Sequence, residues 1–380
     1  MEPSSSSLFF ADQRLCSADV LPPCHVRARI QVAVLNFLRD LSSPTPSISH
    51  LPLISRKSDN SGLRRGLLSD VASVYLSHSF CVRSLTRGND AKAFIRVWKV
   101  MEMCFRILGL GKQVTQRELF YKLLCDSPEY FASQNQVNRI VQDVVALLRC
   151  SRQSLGIMAS SRGAIVGRLL LQEPGQETID CAVLGPAGHA IAGDLDLLSK
   201  LQFVSDARYI IIVEKDAIFQ RLAEDRLYNQ LPCILITAKG YPDIATRFIL
   251  HRLSQRFPNV PILALADWNP AGLAIVCTYK YGSINMGLEA YRYACNVKWL
   301  GLRGDDLQHI PQHSLVQLKP RDLQIAKSLM SSKLLQETYK AELLSMVEKG
   351  HRVEIEALYC RGFDFLGKYI ATKIVQSDYI

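Results

Sequence analysis

Residues 209–215 read YIIIVEK, residues 233–240 read CILITAKG and residues 262–269 read ILALADWN. Each stretch opens with an unbroken apolar run and ends in polar side chains. Continuous apolar runs of this length are typical of buried parallel strands, because helices cover such strands on both faces. Amphipathic helical patterns separate the runs. The sequence therefore predicts an α/β domain with a parallel sheet, a further strand at 298–302 and a helical C-terminal region over 319–380.

Polar residues with metal-binding chemistry follow these apolar runs. Glu214 ends the first run, Lys239 the second, and Asp267 with Asn269 the third. The carboxyl ends of parallel strands meet at one edge of the sheet, where ligands bind. A single acid after a strand is more often a helix cap or an ion-pair partner. The combination at successive strand ends predicts an oxygen-rich Mg²⁺ site at Glu214, Asp267 and Asn269.

A helical segment precedes the α/β region, and its order of elements is typical of a winged-helix domain. Apolar residues recur at helical spacing over 89–108, and Thr115 with Glu118 forms a capping box that predicts a helix start. A further helix is predicted over 137–148. Two short apolar stretches around residues 161–163 then predict a β-hairpin. Helix, turn, helix and hairpin in this order frequently bind nucleic acid.

Positive charge is concentrated in the same part of the chain. The 380 residues include 45 Lys and Arg against 35 Asp and Glu, a formal charge of +10. Residues 61–170 hold 16 of the basic and 7 of the acidic residues, which leaves this segment with +9. Such a block favours a polyanion as partner. We expect double-stranded DNA, with Arg152, Arg162 and Lys239 as candidate phosphate contacts.

Composition excludes several other classes of protein. With 48% apolar and 21% charged residues, the sequence is that of a folded protein rather than a disordered one. No apolar run approaches the roughly 18 residues needed to cross a bilayer, so neither a membrane role nor a secretory route is expected. Eleven cysteines are scattered singly without the spacing of a zinc site, and predict reduced thiols in an intracellular protein.

The first 60 residues combine Ser- and Pro-rich stretches with one amphipathic helix. The apolar stripe of this helix contains Ile30, Val34, Phe37 and Leu38. Two interpretations are open: the helix packs on its own domain, or a flexible arm presents it to a second subunit. We predict that it docks a second subunit. A second helical pattern follows over residues 67–76.

Arg117 and Tyr121 lie four residues apart on the helix that follows the capping box, so their side chains share one face. Tyrosines on helices are usually packing residues. Here Phe120, Leu123 and Leu124 can supply the apolar face, which leaves the Tyr121 hydroxyl exposed. A tyrosine hydroxyl is a weak nucleophile unless a cation favours the phenolate, and Arg117 is placed to do this or to clamp a phosphate.

Five separated motifs resemble one known family, in the family's order. They are RELFY at 117–121, SRQSLGIMASSRG at 151–163, VEK at 213–215, KGYPDIATR at 239–247 and DWNPAG at 267–272. Over about residues 90–380 the chain resembles the A subunit of topoisomerase VI and its eukaryotic relative, the meiotic DNA double-strand-break transesterase. The amino-acid sequences of these motifs are most similar to those of plant members.

The resemblance implies a domain organisation. Residues 1–60 would form a flexible arm with the partner-docking helix. Residues 61–172 would form a CAP-like winged-helix domain that binds DNA and carries the nucleophilic tyrosine. Residues 173–380 would form a Toprim α/β domain that binds metal, followed by C-terminal helices.

Residue roles follow from the same resemblance. Tyr121 matches the family's nucleophile and Arg117 its assisting arginine, while Glu214, Asp267 and Asn269 match the metal positions. The implied reaction is Mg²⁺-dependent attack of the tyrosine on a DNA phosphodiester, which leaves the protein linked to the 5′ end. Two such cuts make a double-strand break that initiates meiotic recombination.

The family also implies partners. It acts as a homodimer in which the tyrosine of one chain meets the metal of the other, within a heterotetramer with a topoisomerase VI B-like subunit. The sequence has no G-x-x-x-x-G-K-[ST] loop, so ATP hydrolysis is expected on that separate subunit. Accessory meiotic break proteins and a nuclear location are implied as well.

One position departs from the family pattern. The Toprim motif commonly reads Asp-x-Asp, whereas residues 267–269 read Asp-Trp-Asn. The loss of one negative charge predicts weaker metal binding and leaves the binding of a second Mg²⁺ open. Two alternatives therefore remain: a Toprim nuclease or primase-like enzyme in which Tyr121 only packs, and a catalytically weak winged-helix scaffold subunit of a recombination complex.

Overall fold

The computed structural model describes residues 18–42, 44, 50–54, 61–65, 72–76, 80–84, 88–283, 286, 288–332 and 334–380. Contacts divide the chain into two compact units. The first unit comprises Met1–Arg64, Val74–Ser160 and Ser283–Tyr291, and the second comprises Arg65–Ser73, Ser161–Gly282 and Arg292–Ile380. The main division thus falls at residue 160, whereas the sequence placed a domain boundary at residue 172.

Helices dominate the chain up to residue 160. The elements are α1 (Pro23–Leu41), β1 (His50–Ile54), β2 (Ser61–Arg65), β3 (Ala72–Leu76), β4 (Phe80–Ser84), α2 (Gly88–Gly109), β5 (Val114–Thr115), α3 (Gln116–Asp126), α4 (Gln134–Leu148) and β6 (Ile157–Met158). Strands β1 and β4 pair antiparallel. The helix predicted over 67–76 is wrong at Ala72–Leu76, where β3 forms, and residues 66–71 lie outside the described residues.

Helices α2, α3 and α4 form the predicted helical core of the first unit. The Thr115 side chain accepts the Glu118 backbone N–H at 3.1 Å, so the cap predicted at the start of α3 is present. Helix α4 turns its apolar stripe inward, with Val137, Val141 and Val144 fully buried. The rigid part of a helix-turn-helix is therefore in place.

Helix α1 does not stand free as an arm, because it packs on α2. Ile30 is 4% exposed and Ala33 is fully buried. The Phe37 ring lies 5.9 Å from the Phe94 ring and 5.2 Å from the Trp98 ring, measured between centroids. One face of α1 thus belongs to the core of the first unit. None of the helices in the described residues is long and apolar enough to cross a membrane.

The second unit is a sheet with helices, followed by the helical C-terminal region. Its elements are β7 (Ala164–Gly167), β8 (Leu170–Gln172), β9 (Ile179–Asp180), β10 (His189–Ala190), α5 (Leu195–Lys200), β11 (Gln202–Val204), β12 (Tyr209–Val213), α6 (Asp216–Glu224), α7 (Leu227–Gln230), β13 (Cys233–Thr237), α8 (Ile244–Arg256), β14 (Ile262–Leu265), α9 (Pro270–Tyr281), β15 (Val297–Gly301), β16 (Val316–Gln317), α10 (Pro320–Met330), α11 (Glu337–Lys349), β17 (His351–Arg352) and α12 (Phe365–Val375). Short 3-10 helices include Gly304–His309, Gln312–Ser314 and Ile355–Arg361.

The main sheet has six strands in the order β10-β7-β13-β12-β14-β15. Strands β13, β12, β14 and β15 are parallel, with Ile211 of β12 opposite Leu235 and Leu263. The predicted parallel sheet and its fourth strand are confirmed. Because β13 and β14 lie on opposite sides of β12, the strand order reverses there, and ligands bind at such switch points.

The hairpin predicted around residues 161–163 is wrong. Strand β6 pairs with β5, whereas β7 joins the main sheet antiparallel to β13. All four residues of β7 are buried, which suits the interior of a sheet rather than an exposed wing. Gly163 makes this approach possible, because a Cβ there would lie 2.0 Å from Thr246 Oγ1.

Candidate functional site

Glu214 and Asp267 lie together at the switch point of the main sheet, directly after β12 and after Ala266 that follows β14. The Asp267 backbone N–H donates to Glu214 Oε2 at 3.0 Å, and the Asp267 side chain is buried. Burial, and then the nearby Asp267, raises the pKa of Glu214 to about 7. Burial also raises the pKa of Asp267, although Lys215 opposes the shift. Ionisation of both of these close carboxylates is therefore favoured by a nearby cation.

The chemistry of this pair fits Mg²⁺. Mg²⁺ prefers hard oxygen donors and is commonly held by one or two carboxylates together with water and substrate phosphate. Within the described ranges, no group of three or more His, Cys, Asp and Glu forms a metal-binding cluster. The carboxylates of Glu214 and Asp267 are the oxygen donors that this structure brings together here.

Asn269 is next to this pair, but it also has a structural task. Its side-chain oxygen accepts the Gly272 backbone N–H at 2.7 Å and so caps α9. Its amide nitrogen lies 3.4 Å from Asp267 Oδ2 and donates to it. The capping arrangement needs Gly272, because a Cβ there would lie 2.5 Å from the Asp267 carbonyl oxygen. Metal ligation by Asn269 stays a prediction.

A lysine and two glutamates beside Asp267 were missed by sequence reasoning. Lys215 Nζ lies 3.2 Å from Asp267 Oδ2, 2.9 Å from Glu354 Oε2 and 2.5 Å from Glu356 Oε2. The available signal was the alternation Val-Glu-Ile-Glu at 353–356, in which both apolar residues are buried. Nothing in the sequence indicated that this segment meets a strand end almost 90 residues earlier.

Tyr121 lies on the exposed face of α3 in the first unit. Its side chain is 50% exposed, and the Arg117 guanidinium carbon lies 5.9 Å from the centre of its ring. The buried residues of α3 are Leu119 and Leu123. Phe120 is only partly buried, and its ring lies 5.2 Å from that of Tyr121. The hydroxyl is therefore on the accessible side of a helix anchored by its opposite face.

Two of the three candidate phosphate contacts are on the surface of the second unit. Arg162 donates to the Tyr241 carbonyl oxygen at 3.0 Å, and Lys239 Nζ lies 3.3 Å from Asp216 Oδ1. Both side chains are exposed. Arg152 is different, since it is only 4% exposed. A buried guanidinium does not reach a phosphate at the surface, so the structure does not support Arg152 as a DNA contact.

An apolar groove runs between α1 and α2 in the first unit. Val34, Leu35 and Leu38 of α1 are 39%, 64% and 47% exposed. The groove has a volume of about 760 Å³, and its apolar lining includes Ile30, Val34, Leu35, Ile95, Trp98 and Phe105. The predicted docking stripe is thus divided, with Ile30 and Phe37 turned into the core and Val34 and Leu38 left outside. Large exposed apolar patches commonly mark interaction surfaces.

The fold and site define a class of protein. A helical unit with an exposed Arg-Tyr pair is followed by a sheet whose switch point carries two adjacent acids, the partly buried Glu214 and the buried Asp267. A family model described as Type IIB DNA topoisomerase matches residues 92–157, and the model of the Toprim domain of the topoisomerase 6 A subunit and Spo11 matches residues 209–374. The class is therefore that of the type IIB DNA topoisomerase family.

Individual relatives narrow the assignment. The chain is 74% identical over 379 residues to Meiotic recombination protein SPO11-2 of Oryza sativa subsp. indica, covering 99% of this chain and 98% of that protein. It is 68% identical to the Arabidopsis thaliana protein of the same name over 376 residues, with the same coverage. It is 36% identical to the A3 subunit of DNA topoisomerase 6 of Oryza sativa subsp. indica over 362 residues, 90% of this chain and 80% of that one. The chain belongs to the family that unites Spo11 with the A subunits of topoisomerase 6.

Proposed function

We propose that this chain makes the DNA double-strand breaks of meiotic recombination as a topoisomerase-like transesterase. The observation that carries the proposal is the presence, in one chain, of the exposed Tyr121 beside Arg117 and of two adjacent carboxylates, the partly buried Glu214 and the buried Asp267. The full-length identity of 74% to a protein named for meiotic recombination supports it.

The reaction is a transesterification at a DNA phosphodiester. The Tyr121 hydroxyl oxygen loses its proton and bonds to phosphorus, while the bond from phosphorus to the 3′ oxygen breaks and that oxygen takes up a proton. The product is a 5′-phosphotyrosyl link and a free 3′ hydroxyl, and no ATP is consumed because one phosphoester replaces another. Arg117 holds a phosphate oxygen as charge develops on it. When bound by Glu214 and Asp267, Mg²⁺ supplies charge neutralisation at the phosphate and leaving oxygen.

Covalent adducts provide the decisive test. We expect the full-length chain with its partner subunit to become linked to DNA 5′ ends, and Tyr121→Phe to abolish the adduct while DNA binding is retained. Tyr130→Phe is the matched control, since this nearby tyrosine should keep wild-type adduct levels. Metal-dependent cleavage without an adduct would support a Toprim nuclease instead. DNA binding without cleavage would support the scaffold interpretation.

We also propose that the active site forms between two copies of the chain, as the family resemblance implies. Mixing Tyr121→Phe with Glu214→Gln chains tests this. In a shared site, the mixed dimer keeps one intact site, made from the tyrosine of the second variant and the metal acids of the first. Single-strand nicks with adducts only on the Glu214→Gln chain are expected. Complete inactivity of the mixture, with mixed dimers present, would place each site within one chain.

A topoisomerase VI B-like subunit is the proposed partner for the groove between α1 and α2. The exposed residues Val34, Leu35 and Leu38 support this, because they continue the apolar surface of the groove. The complete assembly would be a heterotetramer that acts in the nucleus together with accessory meiotic break proteins. Double-stranded DNA would lie against the positive charge of residues 61–170 and the exposed Arg162 and Lys239.

A further inference from the structure

Lys215 is surrounded by carboxylates at the metal-binding edge of the second unit. Its ammonium contacts Asp267 at 3.2 Å, Glu354 at 2.9 Å and Glu356 at 2.5 Å. The Lys215 side chain is 23% exposed and that of Asp267 4%, whereas Glu354 and Glu356 are 48% and 39% exposed. The ammonium thus joins a buried carboxylate to two carboxylates at the surface. Lys215 follows Glu214 directly in the chain, and its ammonium contacts Asp267, the other proposed metal ligand.

Backbone pairing holds the two glutamates in place. Trp268 and Val353 exchange both backbone hydrogen bonds at 3.0 Å, and the Ile355 N–H donates to Asp267 Oδ1 at 2.9 Å. The segment that carries Glu354 and Glu356 is therefore pinned against the residues that follow β14. The backbone that carries the two glutamates is therefore held beside Lys215.

The charges of the cluster do not balance without a further cation. Glu214, Asp267, Glu354 and Glu356 bring four carboxylates, and Lys215 brings one ammonium, which leaves a formal charge of −3 if all four are ionised. One divalent ion would offset most of this charge. A second divalent ion would have to approach the ammonium, which it would repel.

Two further cations near the cluster also contact acids outside it. Arg352 lies 3.9 Å from Glu354 Oε1, but it also lies 3.8 Å from Asp322. Lys239 is engaged by Asp216 at 3.3 Å. Both cations therefore contact acids outside the cluster, whereas Lys215 contacts Asp267 directly.

We propose that Lys215 is a tethered cation that takes the place of a second metal ion, so that the site holds a single divalent ion. Lys215 is then a positioning residue: it neutralises Asp267 Oδ2 and is itself held by Glu354 and Glu356. The neutral side chain of Asn269 agrees with this arrangement, because a site with a built-in cation needs fewer negative ligands. The inference rests on the proposed metal site at Glu214 and Asp267.

Counting bound Mn²⁺ tests the inference without any measurement of DNA cleavage. Titration of the full-length chain followed by electron paramagnetic resonance and calorimetry should give one Mn²⁺ per wild-type chain. Lys215→Gln should bind a second Mn²⁺, whereas Lys215→Arg should keep one because it keeps the charge. Lys340→Gln is the matched control, since Lys340 forms an ion pair with Glu337 at 2.7 Å on another helix; it should also keep one.

A second variant keeps the test decisive if Lys215→Gln does not fold. The double change Glu354→Gln and Glu356→Gln leaves the ammonium in place with fewer acids around it. Mn²⁺ affinity should then fall by about 10–100-fold, the range typical for groups that support metal ligands. Unchanged affinity would assign the two glutamates a purely structural role and overturn the inference.

The outcomes separate this inference from the proposed function. Two Mn²⁺ ions on the wild-type chain, or one ion of unchanged affinity on folded Lys215→Gln, would overturn the tethered cation and leave the metal site standing. If Lys215→Gln lowers the salt dependence of DNA binding but leaves Mn²⁺ binding unchanged, Lys215 is a phosphate contact. That result would also overturn the tethered cation. Absence of Mn²⁺ from both wild type and Glu214→Gln would instead remove the proposed metal site.

Discussion

Helix α1 offers a direct comparison between packing and docking residues on one helix. Ile30 is 4% exposed, whereas Leu35, little more than one turn further on, is 64% exposed. Truncation of a buried isoleucine to alanine costs about 3 kcal/mol, because transfer energy is lost and a cavity is left. Truncation of a largely exposed leucine costs within about 0.5 kcal/mol.

These costs translate into separate thermal shifts. For a unit of this size, about 1 kcal/mol lowers the thermal midpoint by roughly 2–4 °C. Ile30→Ala should therefore lower the midpoint of the first unit by about 6–12 °C, whereas Leu35→Ala should move it by at most about 2 °C. Circular dichroism or calorimetry of the full-length chain measures both shifts.

Binding of the partner subunit should instead depend on the exposed residues of α1. Val34→Asp and Leu35→Asp place a charge in the exposed groove and should abolish capture of a topoisomerase VI B-like subunit, with little change in the thermal midpoint. An Ile30→Ala midpoint within about 1 °C of wild type would refute the packing of α1 on α2. Intact partner capture by both aspartate variants would show that the groove is not the docking surface.

Further expectations concern the nucleophile, the acids and the DNA contacts. Tyr121→Phe should move the thermal midpoint by at most about 2 °C, because the side chain is half exposed; a larger loss would mean that its hydroxyl supports the fold. The raised pKa of Glu214, about 7 against an ordinary 4.5, means that its contribution to folding is present below 4.5 and is lost as the pH rises through 7. The metal-free chain should therefore lose stability over that interval, and a Glu214→Gln profile with the same slope in EDTA would contradict this assignment. Arg162→Ala and Lys239→Ala should each lower the slope of log affinity against log salt by about one unit. Unchanged slopes in both variants would place the DNA on another face.

The parallel sheet could be predicted because its signal is local and specific. Strands β12, β13 and β14 coincide with the three apolar runs, and the Thr115 cap lies where its motif indicated. An unbroken apolar run of this length suits few environments other than a buried strand, so tertiary packing left these three strands where the sequence predicted them. The acids at the strand ends were predictable for the same reason, since strand direction brings Glu214 and Asp267 to one edge.

The features that the sequence did not predict correctly depend on contacts between distant parts of the chain. Strand β7 follows β6 closely in sequence and was expected to pair with it, but its fully buried pattern is satisfied by a partner about 70 residues later. The same limit applies to Lys215, whose partners Glu354 and Glu356 lie about 140 residues away. Helix α1 shows a further limit, because periodicity defined an apolar stripe but not which half of it would be covered.

The backbone pairing of Trp268 with Val353 has a consequence for how the protein is made. The Asp267 carboxylate receives the Ile355 N–H across 88 residues of chain, and Lys215 meets its glutamates across about 140. Contacts this distant in sequence form late in folding, since the chain between them must be ordered first. During synthesis, helix α3 with Tyr121 is therefore made long before the contacts of Asp267 and Lys215 can form. An incomplete or misfolded chain would therefore lack the organised sheet edge on which the proposed metal site depends.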